Sequence, residues 1–157
     1  MSNDKALFCK VNKAEDVDPD SPVAKKHVPV ITAPSVFKVG EFYDVKITVG
    51  EIDHPNENEH FIQWIEFYIG SVYLGRFDFA PVMTRPEVTI PLKLSHKGLN
   101  STLRAVSRCN MHGLWEGTAQ VTTESLSREH QESVCLTADL SFESTLNFGS
   151  SLEREVR

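Results

Sequence analysis

In FYDVKITV, residues 42–49, Tyr43, Val45, Ile47 and Val49 alternate with Asp44, Lys46 and Thr48. A period of two sends the first set to one side of an extended chain and the second to the other, which is the pattern of a strand with one face buried. The same alternation runs through VTIPLKL, where Val88, Ile90, Leu92 and Leu94 share a phase and Pro91 falls on the outer one. A proline lacks the N–H that a second neighbouring strand would need, so this segment is expected at a sheet edge. HFIQWIEFYIGSVYLGRFDF is apolar on both phases, which suits a central strand, a turn at Gly70-Ser71 and a partner strand to Phe79. Leu103–Cys109 and Thr118–Thr123 add two more strands. Helical periodicity with capping signals is absent from the middle of the chain. Short strands separated by turns imply an all-β, antiparallel β-sandwich.

A chain of 157 residues is long enough to bury such a core without disulfides. Its net charge of -6 is uneven. Residues 1–24 hold 3 Lys and 5 acids, residues 25–123 hold 10 Lys+Arg and 10 acids, and residues 124–157 hold 3 Arg and 7 acids. A neutral middle with acidic ends offers no basic face, which argues against nucleic acid and anionic membranes as partners. No apolar run is long enough to span a bilayer, and Ala6–Cys9 is too short for a signal-peptide core, so a cytoplasmic location is expected. The three cysteines, Cys9, Cys109 and Cys135, are an odd number widely spaced, so a metal ligand or redox thiol is expected rather than a disulfide framework. The expected organisation is an N-terminal arm over 1–24, a sandwich domain over 25–123 and an acidic C-terminal extension over 124–157. In that extension Val134–Phe142 alternates as one further strand.

Metal-donor side chains gather in three stretches: KKHVPV with His27, DHPNENEHF with His54 and His60, and CNMH with Cys109 and His112. The Pro-Asn turn after His54 could aim both histidines of the second stretch at one point, and Cys109 and His112 form another short clamp. Taken singly, each clamp reads more readily as solvated histidines or an ordinary thiol than as a metal site. His96 and His130 read as surface residues, and Cys9 and Cys135 as packed or idle thiols.

Taken in order, KHVPVI, then HPN…EH.I.WIE, then CN.HGLWE resemble the superoxide reductases of the desulfoferrodoxin and neelaredoxin family, from about Lys26 to Glu116. The resemblance implies an immunoglobulin-like sandwich of about seven strands that holds one mononuclear iron per chain. Carried over by motif, the imidazole ligands would be His27, His54, His60 and His112, and the thiolate ligand Cys109. Such a set suits divalent iron, and five donors leave one octahedral position open; a closed tetrahedral zinc site would not need the fifth. The implied activity is one-electron reduction of superoxide to hydrogen peroxide without release of dioxygen.

The resemblance also implies a small electron donor such as rubredoxin, assembly into a dimer or tetramer, and a role for Lys26 in attracting superoxide. Where the family often reads Glu-Lys-His, this chain reads Lys25-Lys26-His27, so that carboxylate is missing; Glu15 from the arm is one candidate substitute. Pro29, Leu114 and Trp115 are expected as apolar cover, and Glu51, Glu59, Glu66 and backbone carbonyls as groups orienting the imidazoles. Only Cys9 precedes Cys109, so the extra four-cysteine iron domain of longer members cannot form. Two other readings use the same donors: a copper electron-transfer sandwich including Met111, and a metal-free immunoglobulin-like binding module.

Overall fold

The computed structural model describes residues 7–18 and 21–124. Nine strands and one short helix follow in order: β1 (Val11–Asn12), a single 3-10 turn (Ala14–Asp16), α1 (Pro22–His27), β2 (Pro29–Thr32), β3 (Val36–Lys38), β4 (Phe42–Val49), β5 (Ile62–Ile69), β6 (Val72–Asp78), β7 (Glu87–Lys93), β8 (Asn100–Cys109) and β9 (Gly113–Glu124). The fold is the expected all-β sandwich. One sheet runs β1-β9-β8-β5-β6, with β3 also paired to β9; the other runs β2-β4-β7.

The two sheets close on each other through the residues the alternation singled out. Val45, Ile47 and Val49 of β4 and Leu92 of β7 meet Ile65 and Phe67 of β5, Leu103 and Ala105 of β8 and Val121 of β9 in one buried cluster. Pro91 is exposed on β7, an edge strand bonded only to β4, as its missing N–H requires. The β5–β6 hairpin turns at Gly70-Ser71, also as expected. β9 begins at Gly113, five residues before the expected start, because it pairs with β8 from Cys109↔Gly113 onward. Two pairings depart from an antiparallel scheme: β1 and β3 are short strands that run parallel to β9. The alternating segment Val134–Phe142 lies outside the described residues.

Two local features set up one end of the sandwich. The β5–β8 ladder is irregular between Ile62 and Trp64, so Gln63 is an extra residue just before the register reaches Ile62↔Cys109. Such a bulge bends its strand and re-aims the following residues. Its Oε1 is held by Arg108 Nε–H at 2.8 Å. Between the sheets, Gly117 of β9 faces the backbone of Pro29 in β2 so closely that any Cβ would run into the Pro29 carbonyl. That close approach brings the His27-Val28-Pro29 turn down onto β9.

Candidate metal centre

His27 is the last residue of α1. Ser21 caps this helix, its Oγ accepting from the Val23 N–H at 3.3 Å, and Pro22 supplies the pre-set first turn. Pro29 disfavours helical backbone at Val28, which is extended (φ -66°, ψ 123°), so the helix stops after six residues. The imidazole is buried at 2 % exposure. Its Nδ1–H donates to the Val23 carbonyl at 2.7 Å, while the His27 carbonyl accepts from Ser107 Oγ at 3.2 Å. With Nδ1 used as donor, Nε2 carries a lone pair that points away from the helix.

His54 is arranged in the same way. Its Nδ1–H donates to the Pro55 carbonyl at 2.5 Å, which leaves Nε2 only 3.0 Å from Nε2 of His27. Six residues on, His60 is set by a tight turn in which Glu57 and His60 exchange both backbone hydrogen bonds, at 3.0 and 3.2 Å. On the neighbouring strand, Cys109 ends β8 fully buried, and the turn that follows returns His112 so that its Nδ1 lies 3.5 Å from Cys109 Sγ.

The four rings form a closed circuit. Adjacent centroids are 4.5 Å (His27–His54), 4.6 Å (His54–His60), 4.9 Å (His60–His112) and 4.6 Å (His112–His27) apart, whereas His27 and His60, across the circuit, are 6.0 Å apart. Neighbours are steeply tilted, by 60° to 87°, and the opposed pair His27 and His60 is nearly parallel at 25°. This is a pinwheel of imidazoles around one point. The donor atoms of His27, His60, Cys109 and His112 all lie within 4.8 Å of one another, and His54 joins through its 3.0 Å approach to His27.

Two observations test whether a metal ion fits there. The Nε2 atoms of His27 and His54 are both acceptors, yet face each other at hydrogen-bond distance with no proton to share. Nε2 of His60 is buried with no hydrogen-bond partner. Buried lone pairs left facing one another are costly unless a cation takes them up. Nitrogen donors at right angles on one transition ion, each about 2.1 Å from it, would stand about 3.0 Å apart. The residues therefore fit a metal.

The electrostatics agree. Burial pushes the His27 imidazole down to about 3 and that of His54 to about 4, against the hydrogen bonds to Val23 and Pro55, which oppose the shift. Burial also lowers His60, assisted by His112, and the Lys26 ammonium lowers both His54 and His60. These three rings thus stay neutral at pH 7 and keep the lone pairs a metal needs. Burial raises the Cys109 thiol, so this sulfur holds its proton until a cation compensates the thiolate.

A desulfoferrodoxin family profile matches residues 20–118, a span that holds all five donors. The chain belongs to the desulfoferrodoxin family. It is 39% identical over 107 residues to a superoxide reductase of Pyrococcus horikoshii, covering 62% of this chain and 88% of that one. It is 36% identical over 116 residues to neelaredoxin of Megalodesulfovibrio gigas, covering 62% and 87%. Among solved structures, superoxide reductase (neelaredoxin) from Ignicoccus hospitalis superposes with a TM-score of 0.65 at 34% identity, covering 76% of this chain and 98% of that one.

Within this family frame, Trp115 has two contacts at the centre. It is fully buried, its indole stacks on His27 at 5.2 Å, and its Nε1–H donates to the His112 carbonyl at 2.9 Å. The groups that orient His27 and His54 are backbone carbonyls, at Val23 and Pro55, the second of the two kinds expected. Glu66 instead accepts from Tyr68 Oη at 2.7 Å and lies 3.8 Å from Arg76. Glu59 contributes its carbonyl to Asn110. Glu15 and Glu51 line a groove with Lys13 and Glu116 along β2 and β9. Sequence reading missed Ser107, which anchors the His27 carbonyl from a strand 80 residues away. A single serine in an alternating strand carries no signal of such a partner.

Proposed function

We propose that this chain is a superoxide reductase that binds one iron ion through His27, His54, His60, His112 and Cys109. It would reduce superoxide by one electron to hydrogen peroxide without releasing dioxygen. The observation that carries this reading is the pinwheel of four imidazoles with a buried thiol at its edge. Bound there, iron would supply the single electron, and a small electron carrier such as rubredoxin would return it.

The chain's own residues bind, neutralise and attract. His27 and His54 present lone pairs because their opposite nitrogens are tied to carbonyls. Cys109 would give up its proton on binding the metal and hold it as a thiolate, an electron-rich ligand. Trp115, buried and stacked on His27, excludes water on the β9 side, whereas Leu114 alternates away from the centre and lines a surface pocket with Phe8 and Cys9. Lys26, half-buried in the last turn of α1 and close enough to depress His54 and His60, draws the anion inward and orients water that supplies protons to the product. Lys25 widens the cationic rim.

Assembly into a dimer or tetramer belongs to the same proposal. It is supported by the exposed edge of β6, which carries Val72 and Tyr73. Among the described residues no helix is long and apolar enough to cross a membrane. A cytoplasmic site, reducing toward thiols, suits Cys109 as a metal ligand.

Anaerobic purification should return iron stoichiometric with the chain and a sample that turns blue on oxidation, through thiolate-to-iron charge transfer. Superoxide should be consumed with peroxide formed and no dioxygen evolved. Copper in place of iron, or dioxygen in the products, would refute the proposal. In pulsed-superoxide experiments Lys26→Ala should slow the bimolecular step about tenfold and flatten its dependence on ionic strength. An unchanged rate would remove Lys26 from the mechanism.

A further inference from the structure

Four of the five donors lie in, or at the mouth of, two loops that adjoin different strands, and the ladder between those strands ends where the loops begin. The last registered pair of β5 and β8 is Ile62↔Cys109. Past it, one residue bridges the gap. Asn110 N–H donates to the Phe61 carbonyl at 3.2 Å. The Asn110 carboxamide then takes both remaining positions: Oδ1 accepts from the Phe61 N–H at 3.0 Å and Nδ2 donates to the Glu59 carbonyl at 2.8 Å.

A side chain here does what the backbone of another strand residue would do. The difference matters, because a strand residue would carry the chain straight on, whereas Asn110 leaves it free to turn at once toward His112. Glu59 and Phe61 flank His60, and Asn110 follows Cys109, so the three hydrogen bonds fix one ligand-bearing loop against the other. The reach of an asparagine carboxamide is short, unlike that of a lysine or arginine head group. We propose that Asn110 is a positioning residue of the metal centre: its carboxamide sets the spacing between the loop holding His54 and His60 and the turn holding Cys109 and His112.

This inference rests on the reading of that cluster as a metal site, and cobalt(II) separates the two. Cobalt is titrated into the metal-free full chain, its affinity is read from the thiolate-to-cobalt charge-transfer band, and the thermal transition of the metal-free protein is recorded alongside. Asn110→Ala should weaken cobalt binding about 10- to 100-fold and shift the charge-transfer band, since the sulfur and the imidazoles no longer meet at the same spacing. Thr123→Val is the control. Thr123 Oγ1 accepts from the Leu99 N–H at 2.9 Å and donates to the His96 carbonyl at 2.7 Å, so this variant also loses two hydrogen bonds that tie a loop to a strand. It should lower the thermal transition and leave the cobalt affinity and band at wild-type values. Should Asn110→Ala fail to fold, Asn110→Gln keeps both polar atoms on a longer stem, and should still bind several-fold more weakly with a displaced band. Wild-type affinity and spectrum in the folded Asn110 variant overturn the clamp. Absence of any charge-transfer band in the wild type overturns the metal-site reading itself.

Discussion

Replacing Gly50 by alanine tests how the sandwich supports the helix that ends at His27. Gly50 follows β4 with φ +86°, and its neighbours grip the end of α1: Gly50 N–H donates to Val28, and the Glu51 and Ile52 N–H groups both donate to the Lys25 carbonyl, at 3.1, 2.8 and 3.2 Å. A Cβ at this position would lie 2.6 Å from the Ile52 carbonyl oxygen and 2.7 Å from that of Lys26. Both are backbone atoms, so neither can swing aside as a flexible side chain would. The left-handed backbone costs a non-glycine residue about 1–2 kcal/mol. Overpacking against fixed neighbours adds about 1–3 kcal/mol. Gly40 separates the two contributions, since its φ is +85° with nothing within 4 Å of an added Cβ. Denaturant unfolding should therefore place Gly40→Ala about 1 kcal/mol below wild type and Gly50→Ala about 3 kcal/mol below it. In a chain of this size the latter is a fall of about 10 °C in Tm. Gly50→Ala should also weaken metal binding, because its clash pushes on the Lys26-His27 turn, whereas Gly40→Ala should not. Equal destabilisation in the two variants, within about 0.5 kcal/mol, would show that the close contact with Lys26 does not constrain the helix.

Three further outcomes follow from the site. The metal-free protein should lose stability as pH falls from about 6.5 toward 4, by up to about 1.4 kcal/mol per pH unit for each of His27 and His54. The sign follows because the unfolded chain takes up these protons near 6.5, while the folded one resists until about 3 and 4; a denaturation midpoint that stays level from pH 7 to 5 would contradict it. Metal uptake should release the Cys109 proton, so affinity should rise with pH and the proton yield should drop in Cys109→Ala; equal proton release from both would argue against a thiolate ligand. Trp115→Phe leaves the His112 carbonyl without its donor and should cost about 1–3 kcal/mol together with about tenfold in metal affinity, read by unfolding and metal titration. Unaltered affinity would reduce Trp115 to core packing.

The amino-acid sequence by itself determined the layers and the donors. Alternation in β4 and β7 shows which side chains face inward, because a strand's two faces follow directly from the order of residues. Pro91 marks an edge through its own missing N–H. The three donor stretches are legible as motifs since each clamp is local. Tertiary structure decided what those donors do together. Which nitrogen of His27 and His54 faces the centre depends on carbonyls at Val23 and Pro55, and the circuit of rings depends on where α1, the 54–60 loop and the β8–β9 turn end up in space. Ser107 and the glycine contacts at Pro29 and Lys26 carry no local pattern, and Asn110, though it stands within CN.HGLWE, shows no sign there of its bonds to Glu59 and Phe61, since each acts on a partner remote in the chain. Period and composition record what a residue prefers among its neighbours in sequence; distances across two sheets arise only when those sheets have packed.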